Sequence, residues 1–191
     1  IEDLIINILT WSLLPDEIII INSSKKKYLI KLDLIKKLKQ KKIKLITIHN
    51  KNLFPGAARN VGILRSNYEY IAFLDVNTLP YSKDWLKINF NYLIKKKFDG
   101  IFGKTFYLTN KYKENIVVAS TYGKECLITL PGSIIKRKVF LSLGQFNKEA
   151  RAGEDTDWLQ RAKKSKFKFS NSKMPIYYKG LYNITYFSII Q

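Results

Sequence analysis

Four consecutive isoleucines, Ile18 to Ile21, follow Glu17 with no polar residue among them. A half-exposed strand alternates apolar and polar side chains. An unbroken β-branched run instead predicts a strand covered on both faces, as in a parallel sheet. Parallel strands need crossover connections, and the flanking sequence supplies helical periods for them. Residues 1–14 place Ile1, Leu4, Ile5, Ile8 and Trp11 on one stripe, which Pro15-Asp16 stops. From about 25 to 42, Leu29, Leu32, Ile35 and Leu38 recur among lysines, the pattern of an amphipathic helix. Strands are predicted at 43–48 and 70–74 (YIAFL), with a helix from Gly56 to Ser66 between them. A further helix starts at Ser82, with Trp85, Leu86, Phe90 and Leu93 on one side.

Strand, helix, strand, helix, strand implies right-handed crossovers and an α/β domain with a mostly parallel sheet flanked by helices. After Asp99 the pattern loosens. Short apolar runs at 100–107, 115–119 and 126–130 predict a smaller antiparallel or irregular section, followed by helices near 136–143 and 154–164. At 191 residues, without an internal repeat or a low-complexity linker, the chain reads as one domain.

Lys and Arg total 34 against 15 Asp and Glu, a formal net charge of +19. Such an excess invites a polyanion: nucleic acid, an anionic membrane face or a phosphorylated substrate. Only five of the basic residues are Arg, the side chain on which base readers and bidentate phosphate binders rely. The 29 lysines are equally the mark of a generic solvated surface, and no aromatic-interleaved patch accompanies them. Specific nucleic-acid binding is therefore not expected. The single Cys126 excludes an intrachain disulfide framework, and the single His49 excludes a multi-histidine metal centre. A reducing compartment is the default. Neither a membrane-spanning run nor a signal peptide is read, and Ile1 falls inside a predicted helix, so the expectation is that a preceding segment is missing.

In open α/β sheets ligands bind beyond the carboxyl ends of the strands. The isoleucine strand ends in Asn22-Ser23-Ser24, which reads either as a ligand-bonding loop or as an ordinary turn. Strand 43–48 leads to Pro55-Gly56-Ala57-Ala58-Arg59-Asn60, where small residues at a helix start permit close backbone approach and the helix N-terminus attracts anions. Arg59 adds a fixed charge there, or a structural ion pair. Strand 70–74 ends in Asp75-Val76-Asn77, two oxygen ligands able to hold a hard divalent cation, or a turn before the next helix. Glu154-Asp155-Thr156-Asp157 sets three carboxylates within four residues, as a helix N-terminus or as a catalytic cluster. Asp157 and Arg161, four apart, read as a structural pair on that helix.

These segments, in this order, resemble family 2 glycosyltransferases of the GT-A fold. The likeness runs through PDEIIIINSS at 15–24, PGAARNVGI at 55–63, YIAFLDVNTLP at 70–80, LGQF at 143–146 and GEDTDWLQR at 153–161, and covers about residues 1–180. It implies transfer of a sugar from a nucleoside-diphosphate sugar to a saccharide, lipid-linked or other hydroxyl acceptor, with inversion at the anomeric carbon. By that resemblance Asp75 is the first acid of the DxD motif and Asn77 stands in the place of the second, the pair that holds Mg²⁺ or Mn²⁺ on the diphosphate. Arg59 and Asn60 match the family's ARN and line the nucleotide pocket. Asn22 and Ser23 stand where the family often has acidic nucleotide contacts. Asp155 matches the catalytic base, with Glu154 its neighbour.

The resemblance also divides the chain into a nucleotide-binding half, 1–99, and an acceptor-binding half, 100–191, with the family's first strand missing before Ile1. The family's late histidine is absent from PIYYKGL at 175–181, where Lys179 stands near its place. The Gln-x-x-Arg-Trp motif of processive polymerases is also absent, which implies single additions. The implied setting is synthesis of cell-surface polysaccharide or glycoconjugate in the cytoplasm, with peripheral contact to the anionic inner face of the membrane through the Lys-rich surface. The competing readings are a catalytically degenerate GT-A domain serving as a binding or scaffold module and, on charge alone, a basic nucleic-acid-binding domain.

Overall fold

The computed structural model describes residues 1–107 and 127–179. The apolar run at 115–119 and Cys126 lie outside these residues. In chain order the elements are α1 (Glu2–Leu9), β1 (Glu17–Asn22), α2 (Leu32–Gln40), β2 (Lys44–His49), α3 (Pro55–Arg65), β3 (Tyr70–Ala72) and β4 (Thr78–Pro80). They continue with α4 (Trp85–Lys95), β5 (Gly100–Tyr107), β6 (Leu127–Lys136), α5 (Arg137–Leu143), α6 (Glu154–Lys163), β7 (Phe169–Asn171) and β8 (Ile176–Tyr178).

The α/β alternation of the first half is present. β1 and β2 form a parallel pair in register from Glu17 opposite Lys44 to Asn22 opposite His49. A second, mixed sheet runs β3-β6-β5-β8-β4, with β7 also on β5. β7 and β8 are parallel to β5, whereas β6 is antiparallel to both β3 and β5, and β4 to β8. Antiparallel pairing after residue 100 is as expected, and it extends back to β3, whose partner is β6. β4 was not anticipated: three residues ending in Pro80 carry too little periodicity to read as a strand.

Two expectations change on contact with the structure. The isoleucines of β1 are half-buried rather than enclosed. Among the described residues β1 has a bonded neighbour on one edge only, and α3 covers it where Gly62 faces Ile21. The helix foreseen from about 25 starts only at Leu32, and its buried stripe is not the one expected. Ile30, Leu34 and Leu38 pack inward against Ile5 and Ile43, while Leu29, Leu32 and Ile35 face outward.

Among the described residues the core divides into three clusters. One packs α1 and α2 against β2 through Ile5, Leu34, Leu38 and Ile43. A second sets Trp11 of the loop after α1 against Trp85 of α4, with ring centroids 5.3 Å apart. The third lies behind the ends of α3 and α6, where Phe140 stacks on Trp158 at 4.4 Å and Phe73 and Phe146 close the group. This third cluster is the wall on which the candidate site rests.

Asp99, at the foot of β5, ties the end of β6 to the residue before β7. Its carboxylate accepts the Lys168 N–H at 3.1 Å and the Lys136 ammonium at 3.2 Å, with Lys138 at 3.9 Å. Burial alone would raise its pKa, but the Lys168 amide and the two lysines outweigh it and hold the carboxyl below the usual range. A carboxylate with a depressed folded-state pKa stabilises the fold above its unfolded pKa, and that contribution is lost as pH falls through the folded value. Asp99→Asn therefore lowers stability by about 1–2 kcal/mol at neutral pH. The difference from wild type narrows as pH drops below about 4, as thermal melts across the acid range will show.

Candidate active site

The predicted site residues separate into two groups. The first is built around Arg59 on the first turns of α3. One Arg59 nitrogen donates to Glu154 Oε1, and the other lies 3.4 Å from Asp75 Oδ1. Arg59 thus ties the acid after β3 to the acid that opens α6, and its guanidinium lies 6.0 Å from the centre of the Phe146 ring. Glu154 is only 5 % exposed, so its charge depends on that partner. Its side chain also lies against the start of α3: a Cβ on Gly56 would stand 2.4 Å from the Asn147 carbonyl oxygen and 3.1 Å from Glu154 Cγ. The close approach allowed by Gly56 is used by the chain itself.

Asp75 is placed by Thr78. The buried Thr78 hydroxyl donates to the Asp75 carbonyl at 2.7 Å and accepts the Asp75 N–H at 3.0 Å, closing the turn. Sequence reasoning passed over Thr78, although an Asp followed three residues later by Thr is a turn signal. Burial raises the Asp75 pKa against the pull of Arg59, and the nearby charges of Asp155 and Glu154 push the same way. With 45 % of the side chain open, water still screens that shift. A cation brought to this oxygen would favour its charged form. Asn77 is exposed, and its carbonyl accepts the Lys179 N–H at 2.8 Å, which sets exposed Lys179 against the same loop.

Asp155 and Glu154 are neighbours in sequence with opposite surroundings. Asp155 is partly exposed and accepts the Thr156 N–H at 2.8 Å, whereas Glu154 is enclosed and paired. Gly153, at φ +83°, turns the chain into α6 in the left-handed conformation that glycine tolerates, and so points the acids of the first turn to this side. The Asp157–Arg161 pair is present at 2.9 Å, and Arg161 also donates to the Leu143 and Gln145 carbonyls, fixing the loop before the acids.

Asn60, expected by resemblance to line the nucleotide pocket, is 7 % exposed, and both ends of its amide bond to the Phe146 backbone, at 2.8 and 2.9 Å. It clamps α3 to the loop before α6.

Asn22 and Ser23 form the second group, at the end of β1. Asn22 Oδ1 accepts the Ser24 N–H at 3.0 Å and the Ser24 hydroxyl at 2.7 Å, and Asn22 Nδ2 donates to the Lys26 carbonyl. The Ser23 carbonyl accepts the Asn52 N–H at 2.9 Å, and His49 Nε2 lies 3.0 Å from the Ser24 carbonyl oxygen. The two strand-end loops are therefore laced together. They make no hydrogen bond to the Arg59 group among the described residues.

Among the described residues no group of three or more His, Cys, Asp or Glu could by itself hold a metal ion. Asp75 and Asn77 offer two hard oxygens from one loop, a donor set that fits Mg²⁺ or Mn²⁺ when phosphate oxygens complete the shell.

Comparison with known proteins bears on this arrangement. A glycosyltransferase of Rickettsia conorii, described as uncharacterised, is 32 % identical over 139 residues, 66 % of this chain and 22 % of that protein. A second, from Rickettsia felis, is 32 % identical over 129 residues, 61 % of this chain and 21 % of that protein. The chain thus spans about a fifth of the length of these curated relatives.

Among solved structures, S. aureus TarS 1–349 in complex with UDP-GlcNAc superposes with a TM-score of 0.65 at 15 % identity, covering 92 % of this chain and 53 % of that one. The mannosyltransferase PcManGT of Pyrobaculum calidifontis, in complex with GDP-Man and Mn²⁺, gives 0.60 at 14 % identity, covering 94 % and 52 %. At such identities these likenesses establish the GT-A fold. The profile of Glycosyl transferase family 2 matches residues 1–143, and the chain belongs to that family.

Proposed function

We propose that the protein transfers a sugar from a nucleoside-diphosphate sugar to a hydroxyl acceptor with inversion, adding single residues to a cell-surface polysaccharide or glycoconjugate in the cytoplasm, beside an anionic membrane. The observation that carries this reading is the Arg59 junction, which holds the Asp75 loop and the start of α6 at one edge of the fold. The UDP-GlcNAc and GDP-Man complexes of the structural neighbours support a nucleotide-sugar donor.

In this reading Asp75 and Asn77 hold Mg²⁺ or Mn²⁺, which when bound neutralises the donor's diphosphate as it leaves. Lys179, joined to Asn77 through its backbone, adds a positive charge to the same loop. Asp155 takes the proton of the attacking hydroxyl, because it is the acid of the pair that makes no ion pair among the described residues. Glu154 acts as a positioning residue that anchors Arg59. The Asn22-Ser23 loop borders the nucleotide, and residues 100–191 face the acceptor. The half-buried isoleucines of β1 support the further reading that a strand beside β1 completes the donor half.

Calorimetry with UDP and GDP in the presence of Mn²⁺ tests the donor site. Binding is expected for one of them, weakened about tenfold or more by Asp75→Ala, consistent with loss of one charge-assisted ligand. Equal affinity of wild type and Asp75→Ala would remove Asp75 from the site.

A further inference from the structure

We propose that the Lys25–Lys44 segment docks on a negatively charged lipid bilayer, with Leu29 and Leu32 entering the headgroup region. The assignment deepens the bilayer position proposed above and does not depend on glycosyl transfer.

Two apolar sets share this segment. Ile30, Leu34 and Leu38 are at most 9 % exposed and belong to the core. Leu29 and Leu32 are 74 % and 76 % exposed, flanked by Tyr28 and Ile35 at 43 % and 39 %. Scattered exposed leucines are ordinary, but four exposed large apolar side chains between residues 28 and 35 concentrate apolar surface on one short stretch. The charge around them is one-sided. Ten lysines lie between residues 25 and 44, and Asp33 is the only carboxylate. Lys31 pairs with Glu2, Lys37 with Asp33 and Lys44 with Glu17. The other seven make no ion pair among the described residues.

These two features together select the partner. Nucleic acid would neutralise the lysines and leave the leucines in water. A second copy of this face would bring like charges together. An anionic bilayer satisfies both: its surface potential attracts the lysines, and its headgroup boundary accepts the apolar side chains. The placement also serves the proposed reaction. The segment begins three residues after Asn22, at the edge where β1 and β2 end, so docking would bring a lipid-linked acceptor to the same edge as the donor.

The test uses the whole chain in sedimentation with vesicles of phosphatidylcholine alone or mixed with phosphatidylserine. Wild type is expected to bind the mixed vesicles and release them at high salt. Lys25→Gln/Lys26→Gln/Lys27→Gln should weaken binding about a hundredfold. Leu29→Ser/Leu32→Ser should weaken it about tenfold or more, without changing the lysines. A Leu29→Trp reporter should shift its emission to the blue on the mixed vesicles only.

Equal binding to both vesicle types would overturn the assignment. So would a neutral leucine double variant whose affinity for a single-stranded oligonucleotide matches that for mixed vesicles, because the lysines would then serve a polyanion. UDP or GDP binding measured on Leu29→Ser/Leu32→Ser keeps failure here distinct from failure of the transferase reading: that variant leaves it unchanged.

Discussion

Asp155→Asn is expected to lower glycosyl transfer by about 10²- to 10⁴-fold while leaving donor affinity within about twofold. Two adjacent carboxylates differ in their surroundings. Glu154 is enclosed and held by Arg59, so a proton taken there would break a buried ion pair. Asp155 is partly exposed, and among the described residues its side chain bonds only to the Thr156 amide. The amide replacement keeps size and hydrogen bonding but removes the basic lone pair, so a loss of rate without a loss of binding isolates the proton transfer. Turnover that survives Asp155→Asn would move the base elsewhere.

The second large effect is on stability. Arg59→Ala should cost about 3–5 kcal/mol, because it leaves Glu154 charged, buried and unpaired. The Asp75 contact, longer and open to water, adds little to that cost. Adding Glu154→Gln to Arg59→Ala should recover a large part of the loss, since the stranded charge is then gone. Urea unfolding of the two single variants and the double variant gives the coupling directly. Additive losses would mean that the two side chains do not act as a pair.

Much of this was legible in the residues. The isoleucine run marked β1, and the acids at 154, 155 and 157 marked the start of α6, because each signal is local. What lay beyond the sequence depends on who stands opposite. The enclosure of β1 rests on neighbouring strands, not on its own four isoleucines. Leu29, Leu32, Ile35 and Leu38 have helical spacing, yet the stripe one turn-step away, Ile30, Leu34 and Leu38, is the buried one. Both sets fit a helix, and the positions of α1 and of the chain entering β2 decide between them. Likewise the resemblance alone set Asn60 at the nucleotide pocket, and nothing local in the sequence signals that the Phe146 backbone, 86 residues away, bonds both ends of its amide. Glu154 and Asp155 were one cluster in sequence; about 100° of helix rotation separates their side chains and the roles proposed for them.

Under the proposed function, sugar transfer with inversion takes place at the Asp75–Arg59–Asp155 edge. Proton NMR of the chain with UDP-GlcNAc or GDP-Man, Mn²⁺ and a simple saccharide acceptor tests it most directly. Consumption of one donor, a first-formed product of inverted anomeric configuration, and loss of both signals with Asp155→Asn are expected. A product that retains the donor's configuration, or consumption undiminished in Asp155→Asn, would contradict it.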